Sequence, residues 1–238
     1  LGIAKAAISA GAKIYENSAA ISYKVFDDHV RVTTKNGSVK ADRIVLACNG
    51  YLENLEKSLT SKILPMNNYI VATKPLDDET VQKINPKDIA FADSRFVINY
   101  FRMSADKRLL FGGGENYSQE LSKNIVPIVT RPLEKIYPFL KGVKIDYAWG
   151  GKLAITMNRL PFFTTLKNER VISAQGYSGQ GVALASYSGK IVSEKILGSG
   201  EIFNLMAKIP RQSFPGGRFL RNPSMKLGML YYSLLDRI

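Results

Sequence analysis

The chain has 238 residues, 45% of them hydrophobic and 22% charged, with a formal net charge of +13. That balance excludes a disordered or fibrous protein, and at about 100–200 residues per domain it allows one or two domains. No apolar run reaches the roughly 18–20 residues of a membrane-spanning helix, the single cysteine (Cys48) excludes an internal disulfide, and one cysteine with one histidine (His29) excludes the usual zinc sites.

Residues 1–10 read as a helix, with Gly11 as its stop. No initiator Met, charged leader or cleavage pattern precedes them, so the sequence is expected to begin inside a longer protein. Residues 13–16 are predicted as a short strand. Residues 21–26 and 30–34 are predicted as alternating strands around the Asp27-Asp28-His29 turn, where His29 is expected at the surface. Asn36-Gly37 marks a second turn, leading into Val39 and Lys40. Residues 43–47 are a continuous apolar run, the pattern of a buried parallel strand, and end at Cys48-Asn49-Gly50.

From Tyr69 the texture changes. Residues 69–73, 96–102 and 108–111 read as strands of a mostly antiparallel sheet, with Gly112-Gly113-Gly114 after the last. Residues 118–140 have helical spacing but carry Pro127, Pro132 and Pro138, so that helix must be broken. Residues 145–149 form a strand running into Gly150-Gly151. The first texture then returns, with an apolar strand at 171–174, a glycine-rich turn at 176–181 and a helix at 182–197 ended by Gly198. The last forty residues are a basic tail with a helix expected over 224–235. The expected fold class is α/β (α+β).

Three places bring backbone close to something: residues 47–50, 149–151 and 176–181. In the third, a buried strand, three glycines and a long helix follow one another. That order can present a helix N-terminus to a ligand, because no Cβ stands in front of the amides and the dipole favours negative charge there. The same spacing serves equally as a plain tight turn. It is neither a Walker A motif nor G-x-G-x-x-G, since the glycines stand at 176, 179 and 181.

The run from Arg43 to Tyr51 (RIVLACNGY) resembles the second dinucleotide-fold strand of the D-amino acid oxidase-like FAD oxidoreductases, roughly D-x-V-V-x-A-T-G-A. Gly176-Tyr177-Ser178-Gly179-Gln180-Gly181 resembles their C-terminal flavin turn, commonly G-[FY]-[SG]-G-H-G. Asn99-Tyr100-Phe101-Arg102, Leu110-Phe111-Gly112-Gly113-Gly114 and Phe214-Pro215-Gly216-Gly217-Arg218 are similar to the γ-glutamylputrescine oxidoreductase branch, as are Leu230-Tyr231-Tyr232 and Asp236-Arg237. The resemblance implies the C-terminal part of a two-domain FAD/NAD(P)-binding flavoprotein fold with an antiparallel-sheet substrate domain. Residues 1–67 and 148–199 would belong to the FAD-binding domain, 68–147 to the substrate domain and 200–238 to the tail. The strand and G-x-G-x-x-G that hold the ADP half of FAD in the family are absent from this sequence, and the missing N-terminal region of the same protein is the expected partner.

The resemblance also implies roles. Ala20 and Ile21 would lie near the adenine end, a position that sheet core would equally explain. Ala47, Cys48 and Gly50 would let the chain pass under the pyrophosphate or ribose, with Cys48 standing where the family usually has Thr. Gly150, Gly151, Leu153 and Met157 would line the isoalloxazine. The turn of Gly176, Tyr177, Ser178, Gly179, Gln180, Gly181 and Val182 would face its N1–C2 edge, Gln180 replacing the usual His. Tyr69, Tyr100 and Arg102 are the substrate-side candidates. Tyr100 and Arg102 share one face of an extended strand, and Arg can grip a carboxylate in a bidentate fork, although a solvated strand-edge charge is the alternative for Arg102. The implied reaction is FAD-dependent oxidation of a C–N bond in a small amine or amino acid, γ-glutamylputrescine-like, to an imine that hydrolyses. Oxygen or another acceptor would then take the electrons. A D-amino acid or sarcosine-type enzyme, or a non-catalytic fragment, is the alternative. Nucleic acid is not expected as a partner, since Lys and Arg are scattered, and a cytoplasmic location is expected.

Overall fold

The computed structural model describes residues 1–95, 98–113, 120–217, 220, 223, 224, 226–228 and 231. Gly114, Arg218 and most of the tail helix expected over 224–235 lie outside the described residues.

The chain opens with α1 (Gly2–Ser9), and Gly11 follows in the left-handed region at φ 93°. Residues 13–16 form no strand, because no described residue pairs with them. Three antiparallel strands come next: β1 (Ala20–Val25), β2 (Val30–Thr34) and β3 (Ser38–Ala41). His29 is buried at the β1–β2 turn rather than exposed, since Phe26 stacks on its ring at 4.4 Å. The His29 hydrogen bond pulls the Asp28 carboxyl down to about 2.

Two long strands run through the middle of the molecule. β5 (Leu64–Thr73) pairs antiparallel with β9 (Ile145–Ile155), from Leu64 opposite Ile155 to Thr73 opposite Ile145. Gly150 and Gly151 lie inside β9 rather than ending it, because β5 supplies ladder partners past them. The expected boundaries at 67/68 and 147/148 fall within these two strands. β6 (Phe91–Ala92), β7 (Tyr100–Met103) and β8 (Leu109–Gly112) complete a five-stranded sheet in the order β6-β7-β8-β5-β9. α2 (Lys57–Thr60), α3 (Asp78–Ile84) and α4 (Val126–Ile136) are the helices of this middle stretch. Asp77 caps α3 by accepting from the Thr80 amide at 2.8 Å. α4 contains Pro132 and stops before the short 3₁₀ turn at Pro138–Leu140.

Alternation along β5 sorts the sheet into two faces. Tyr69 and Val71 turn to one side with Phe111, Leu109 and Met103, where Val129 and Leu133 of α4 cover them. The other side carries Asn68, Ile70, Tyr100, Arg102, Tyr147 and Trp149. Tyr147 and Trp149 are 59% and 45% exposed there.

A third sheet closes the fold. β4 (Ile44–Leu46) runs parallel to β11 (Val171–Gln175), which pairs antiparallel with β10 (Phe162–Leu166). β11 is buried throughout, while β4 is an edge strand with Val45 40% exposed. α5 (Gly181–Ile196) and α6 (Glu201–Ala207) pack on this sheet through Ile191, Val192 and Phe203. Among the described residues no helix is long and apolar enough to cross a membrane.

A buried polar link ties the first sheet to the rest. The Tyr23 hydroxyl donates to Glu56 Oε2, and Glu56 Oε1 accepts from the Ser58 amide at 3.1 Å. Burial pushes the Glu56 carboxyl up, but the hydrogen bonds from Tyr23 and Ser58 outweigh it and hold the group below its ordinary 4.5. The stability this group contributes is therefore complete above about pH 4.5 and is lost as pH falls below it. Tyr23→Phe is expected to cost about 1–3 kcal/mol at neutral pH, and the difference between variant and wild type should shrink on acidification. Urea midpoints at neutral and acidic pH check this.

Candidate active site

β4 and β11 are parallel neighbours, so their C-terminal ends lie side by side and the loops that follow leave the sheet together. Asn49, left-handed at φ 48°, brings its side chain to the second loop: the Gly176 amide donates to Asn49 Oδ1 at 3.1 Å. The second loop in turn grips β9. The Ser178 amide donates to the Ala154 carbonyl at 2.9 Å, and the Thr156 amide donates to Ser178 Oγ at 3.3 Å. Tyr51 reaches β9 from the first loop, its hydroxyl accepting from the Lys152 amide at 3.0 Å. The structure thus brings together the three glycine-bearing segments that are far apart in sequence.

Their glycines do different work. A Cβ on Gly50 would stand 2.5 Å from the Lys152 carbonyl oxygen, one on Gly150 would stand 2.6 Å from the Tyr69 ring, and one on Gly176 would stand 2.6 Å from the Thr156 methyl. These three serve the chain's own packing. A Cβ on Gly151 would meet only the Tyr51 hydroxyl at 3.4 Å, one on Gly181 would touch Tyr177 at 3.7 Å, and one on Gly179 would enter open space. Gly179 and Gln180 are exposed, and Val182 is 98% exposed. α5 therefore begins in the open, with no side chain capping its first amides.

The other expected cofactor contacts separate in the same way. Cys48 is half-buried, and burial pushes its thiol up, so it stays protonated. The Tyr177 ring is buried and its hydroxyl donates to the Ala174 carbonyl at 3.0 Å, leaving only its backbone in the turn. Ala47 is exposed beside the junction. Leu153 is half-buried next to it, on β9. Ala20 and Ile21 are exposed at the start of β1, a different sheet. Met157 lines a shallow open cleft that also includes Lys62, Phe162 and Arg211.

Of the three substrate-side candidates, Tyr100 and Arg102 lie on the open face of the five-stranded sheet. Tyr69 does not: it is fully buried on the opposite face, where its hydroxyl accepts from the Ser122 amide at 2.9 Å. Strand alternation puts it under α4, so Tyr69 is a core residue. Tyr100 lies across Gly112 of the neighbouring strand and donates to Asn68 Oδ1. A Cβ on Gly112 would stand 2.2 Å from the Tyr100 ring, so only glycine leaves the ring its place. Gly112→Ala is expected to push the ring off Asn68 and cost about 1–3 kcal/mol, or about 2–12 °C in melting temperature for a chain of this size. A thermal melt checks it. Arg102 is exposed and makes no hydrogen bond or ion pair with a described residue. Sequence reading missed Asn68 and Tyr51 because their roles depend on strand register and on a contact about a hundred residues away.

A family model described as FAD dependent oxidoreductase (DAO) matches residues 1–195. The chain belongs to that family. Over 237 residues it is 39% identical to the "Probable oxidoreductase OrdL" of Rhizobium meliloti (strain 1021), covering 100% of this chain and 55% of that protein. It is 36% identical to the "Gamma-glutamylputrescine oxidoreductase" of Escherichia coli (strain K12) over 229 residues, or 96% of this chain and 53% of that protein. Among solved structures, glycine oxidase from Geobacillus kaustophilus superposes with a TM-score of 0.70 at 20% identity, covering 88% of this chain and 56% of that one. The shared architecture is that of the C-terminal part of these flavoenzymes. The chain spans about half the length of the curated relatives it matches.

FAD is the cofactor of the DAO family. The junction fits part of such a group on its own geometry. Gly151, Gly179 and Gly181 leave backbone accessible where a Cβ would otherwise project, and the uncapped start of α5 suits an electron-rich ring edge.

Proposed function

We propose that the protein is an FAD-dependent oxidoreductase that oxidises a C–N bond of an amine or amino acid, with a γ-glutamylputrescine-like compound as substrate. The observation that carries this reading is the meeting of the three glycine segments beside a sheet face bearing Tyr100 and Arg102. Residues of the family's N-terminal half, beyond the span of this chain, would complete the cofactor site.

Gly151 and residues 179–182 would hold the flavin ring, and the α5 N-terminus would favour negative charge on it. The cofactor would supply the hydride acceptor. Arg102 would bind a substrate carboxylate, and the Tyr100 ring would support the substrate's carbon chain. Gln180 offers an amide donor that does not titrate near neutrality. Burial pushes the Cys48 thiol up, so it would not serve there as a thiolate nucleophile. Removal of a hydride beside a neutral amine needs no dedicated base, which agrees with a sequence whose single histidine is buried in a hairpin turn.

The γ-glutamyl reading rests on the branch motifs and on the 36% identity to the Escherichia coli protein. Purified in its full-length context, the protein should be yellow. Under anaerobic conditions γ-glutamylputrescine should bleach the flavin faster than sarcosine or D-alanine. A folded, colourless protein that FAD cannot reconstitute would overturn the flavin reading. Preferential bleaching by D-alanine or sarcosine would replace the substrate.

A further inference from the structure

Asn-Gly occurs twice in the sequence, at Asn36-Gly37 and at Asn49-Gly50. The pair is chemically reactive because glycine has no side chain to shield its backbone nitrogen from the carboxamide of the residue before it. That nitrogen can attack the asparagine Cγ. A new N–Cγ bond closes a cyclic imide, the bond from Cγ to the side-chain nitrogen breaks, and that nitrogen leaves as ammonia with the proton of the glycine amide. Water then opens the ring. Attack on the side-chain carbonyl gives an aspartyl residue, and attack on the backbone carbonyl gives an isoaspartyl residue, whose chain runs through the β-carbon. Nothing is oxidised or reduced, and water is the co-reactant.

The fold treats the two pairs differently. At the glycine junction Asn49 is held: its Oδ1 accepts from the Gly176 amide at 3.1 Å, which keeps the carboxamide turned toward the second loop. Gly50 is buried, and a Cβ on it would stand 2.5 Å from the Lys152 carbonyl oxygen. Neither the ring nor an added chain atom has room there. For Asn49 to react, the hydrogen bond must break and the first loop must lift from β9, a local opening with its own free-energy cost.

Asn36 and Gly37 are both exposed, in the short loop of residues 35–37 between β2 and β3. The Asn36 carboxamide makes no hydrogen bond with a described residue, and the Gly37 amide donates to none. Gly37 is tied to the loop through its carbonyl, which accepts from the Thr34 amide at 2.8 Å and from the Thr34 hydroxyl at 3.1 Å. A Cβ on Gly37 would meet nothing within 4 Å. The two groups that must react are thus the ones the loop leaves free, and the space around them is open.

We infer that Asn36 is a site of spontaneous deamidation in the folded protein, yielding aspartyl and isoaspartyl forms, and that the fold protects the identical pair at Asn49. The isoaspartyl form lengthens the loop by one backbone atom. β3 is the edge of the sheet ordered β1-β2-β3, so the added atom is taken up at an outer strand rather than in the middle of a ladder.

The test is peptide mapping by mass spectrometry of the full-length protein, kept folded at mildly alkaline pH and sampled over time. Methyl transfer by a protein isoaspartyl methyltransferase is the probe for the isoaspartyl form. Asn36 is expected to convert at least about 10-fold faster than Asn49, which corresponds to about 1.4 kcal/mol of protection at the junction. In denaturant the two rates should converge, because the fold is what separates them. Gly37→Ala should slow conversion at Asn36 at least about 10-fold by placing a side chain beside the attacking nitrogen. That variant keeps the fold, since Gly37 is not left-handed and its new Cβ meets nothing within 4 Å. The inference is overturned if Asn36 does not convert in the folded protein, or if Asn49 converts as fast as Asn36 there. It is equally overturned if the gap persists in denaturant or if Gly37→Ala leaves the rate at Asn36 unchanged.

Discussion

Gly179→Asn should leave the protein folded and weaken flavin binding at least about 100-fold, which corresponds to about 2.7 kcal/mol. Gly179 has φ 97°, and a Cβ built on it meets nothing within 4 Å. The chain itself therefore has room for a side chain, and Asn tolerates left-handed backbone better than other residues with a Cβ. Any loss of binding must then come from the side chain entering the space reserved for the ligand. Gly179→Val should lose flavin too, but it adds backbone strain of about 1–2 kcal/mol, so its effect mixes folding with binding. Gly181→Val lacks that strain, since Gly181 is not left-handed, and its new Cβ would touch only Tyr177 at 3.7 Å. Titration of FAD against intrinsic fluorescence, with circular dichroism as the folding control, reads all three. Full flavin occupancy in Gly179→Asn would make the turn purely structural.

Arg102→Ala should lower kcat/KM for a carboxylate-bearing amine by about 10- to 100-fold while flavin content stays at the wild-type level. A charge-assisted contact is worth about 1.5–3 kcal/mol, and each 1.4 kcal/mol is tenfold. Flavin content should not move because Arg102 lies on β7, across the sheet from the glycine junction. Folding should not move either, because the side chain is exposed and makes no pair with a described residue. Arg102→Lys should recover only part of the loss, since an ammonium cannot reproduce the planar fork. Equal kinetics for Arg102→Ala and wild type on every carboxylate-bearing amine would identify Arg102 as a solvated edge residue.

Local chemistry along the chain was enough for much of the scaffold. Val30–Thr34 alternates as a strand must, and Gly11 follows α1 in the left-handed conformation expected of a helix stop. The apolar run of β11, the glycines after it and the helix that follows stand in the order read from the residues. The motif order from Arg43 to Gly181 also pointed to the family, because each motif is short-range in sequence. Other features depended on partners that no local pattern reveals. Residues 13–16 have strand-like composition, but among the described residues no strand edge bonds to them, so they form none. Gly150-Gly151 looked like a turn, yet β5 pairs beyond it and carries β9 straight through. His29 sat in a polar turn, but the Phe26 ring folds onto it.

The same division holds in the site. Tyr69 and Tyr100 are both strand tyrosines, and sequence assigned both to the substrate. Which side of the sheet α4 covers is a tertiary fact, and it places Tyr69 in the core and leaves Tyr100 on the open face. The glycines divide likewise. Lys152 approaches Gly50 and Thr156 approaches Gly176 from distant parts of the chain, so packing claims those two positions, whereas no described residue comes within 4 Å of a Cβ on Gly179. Sequence determined that glycine stands at each of these turns, and the tertiary contacts decided which of them remain open to a ligand, because a Cβ is excluded only by whatever the fold brings within reach of it.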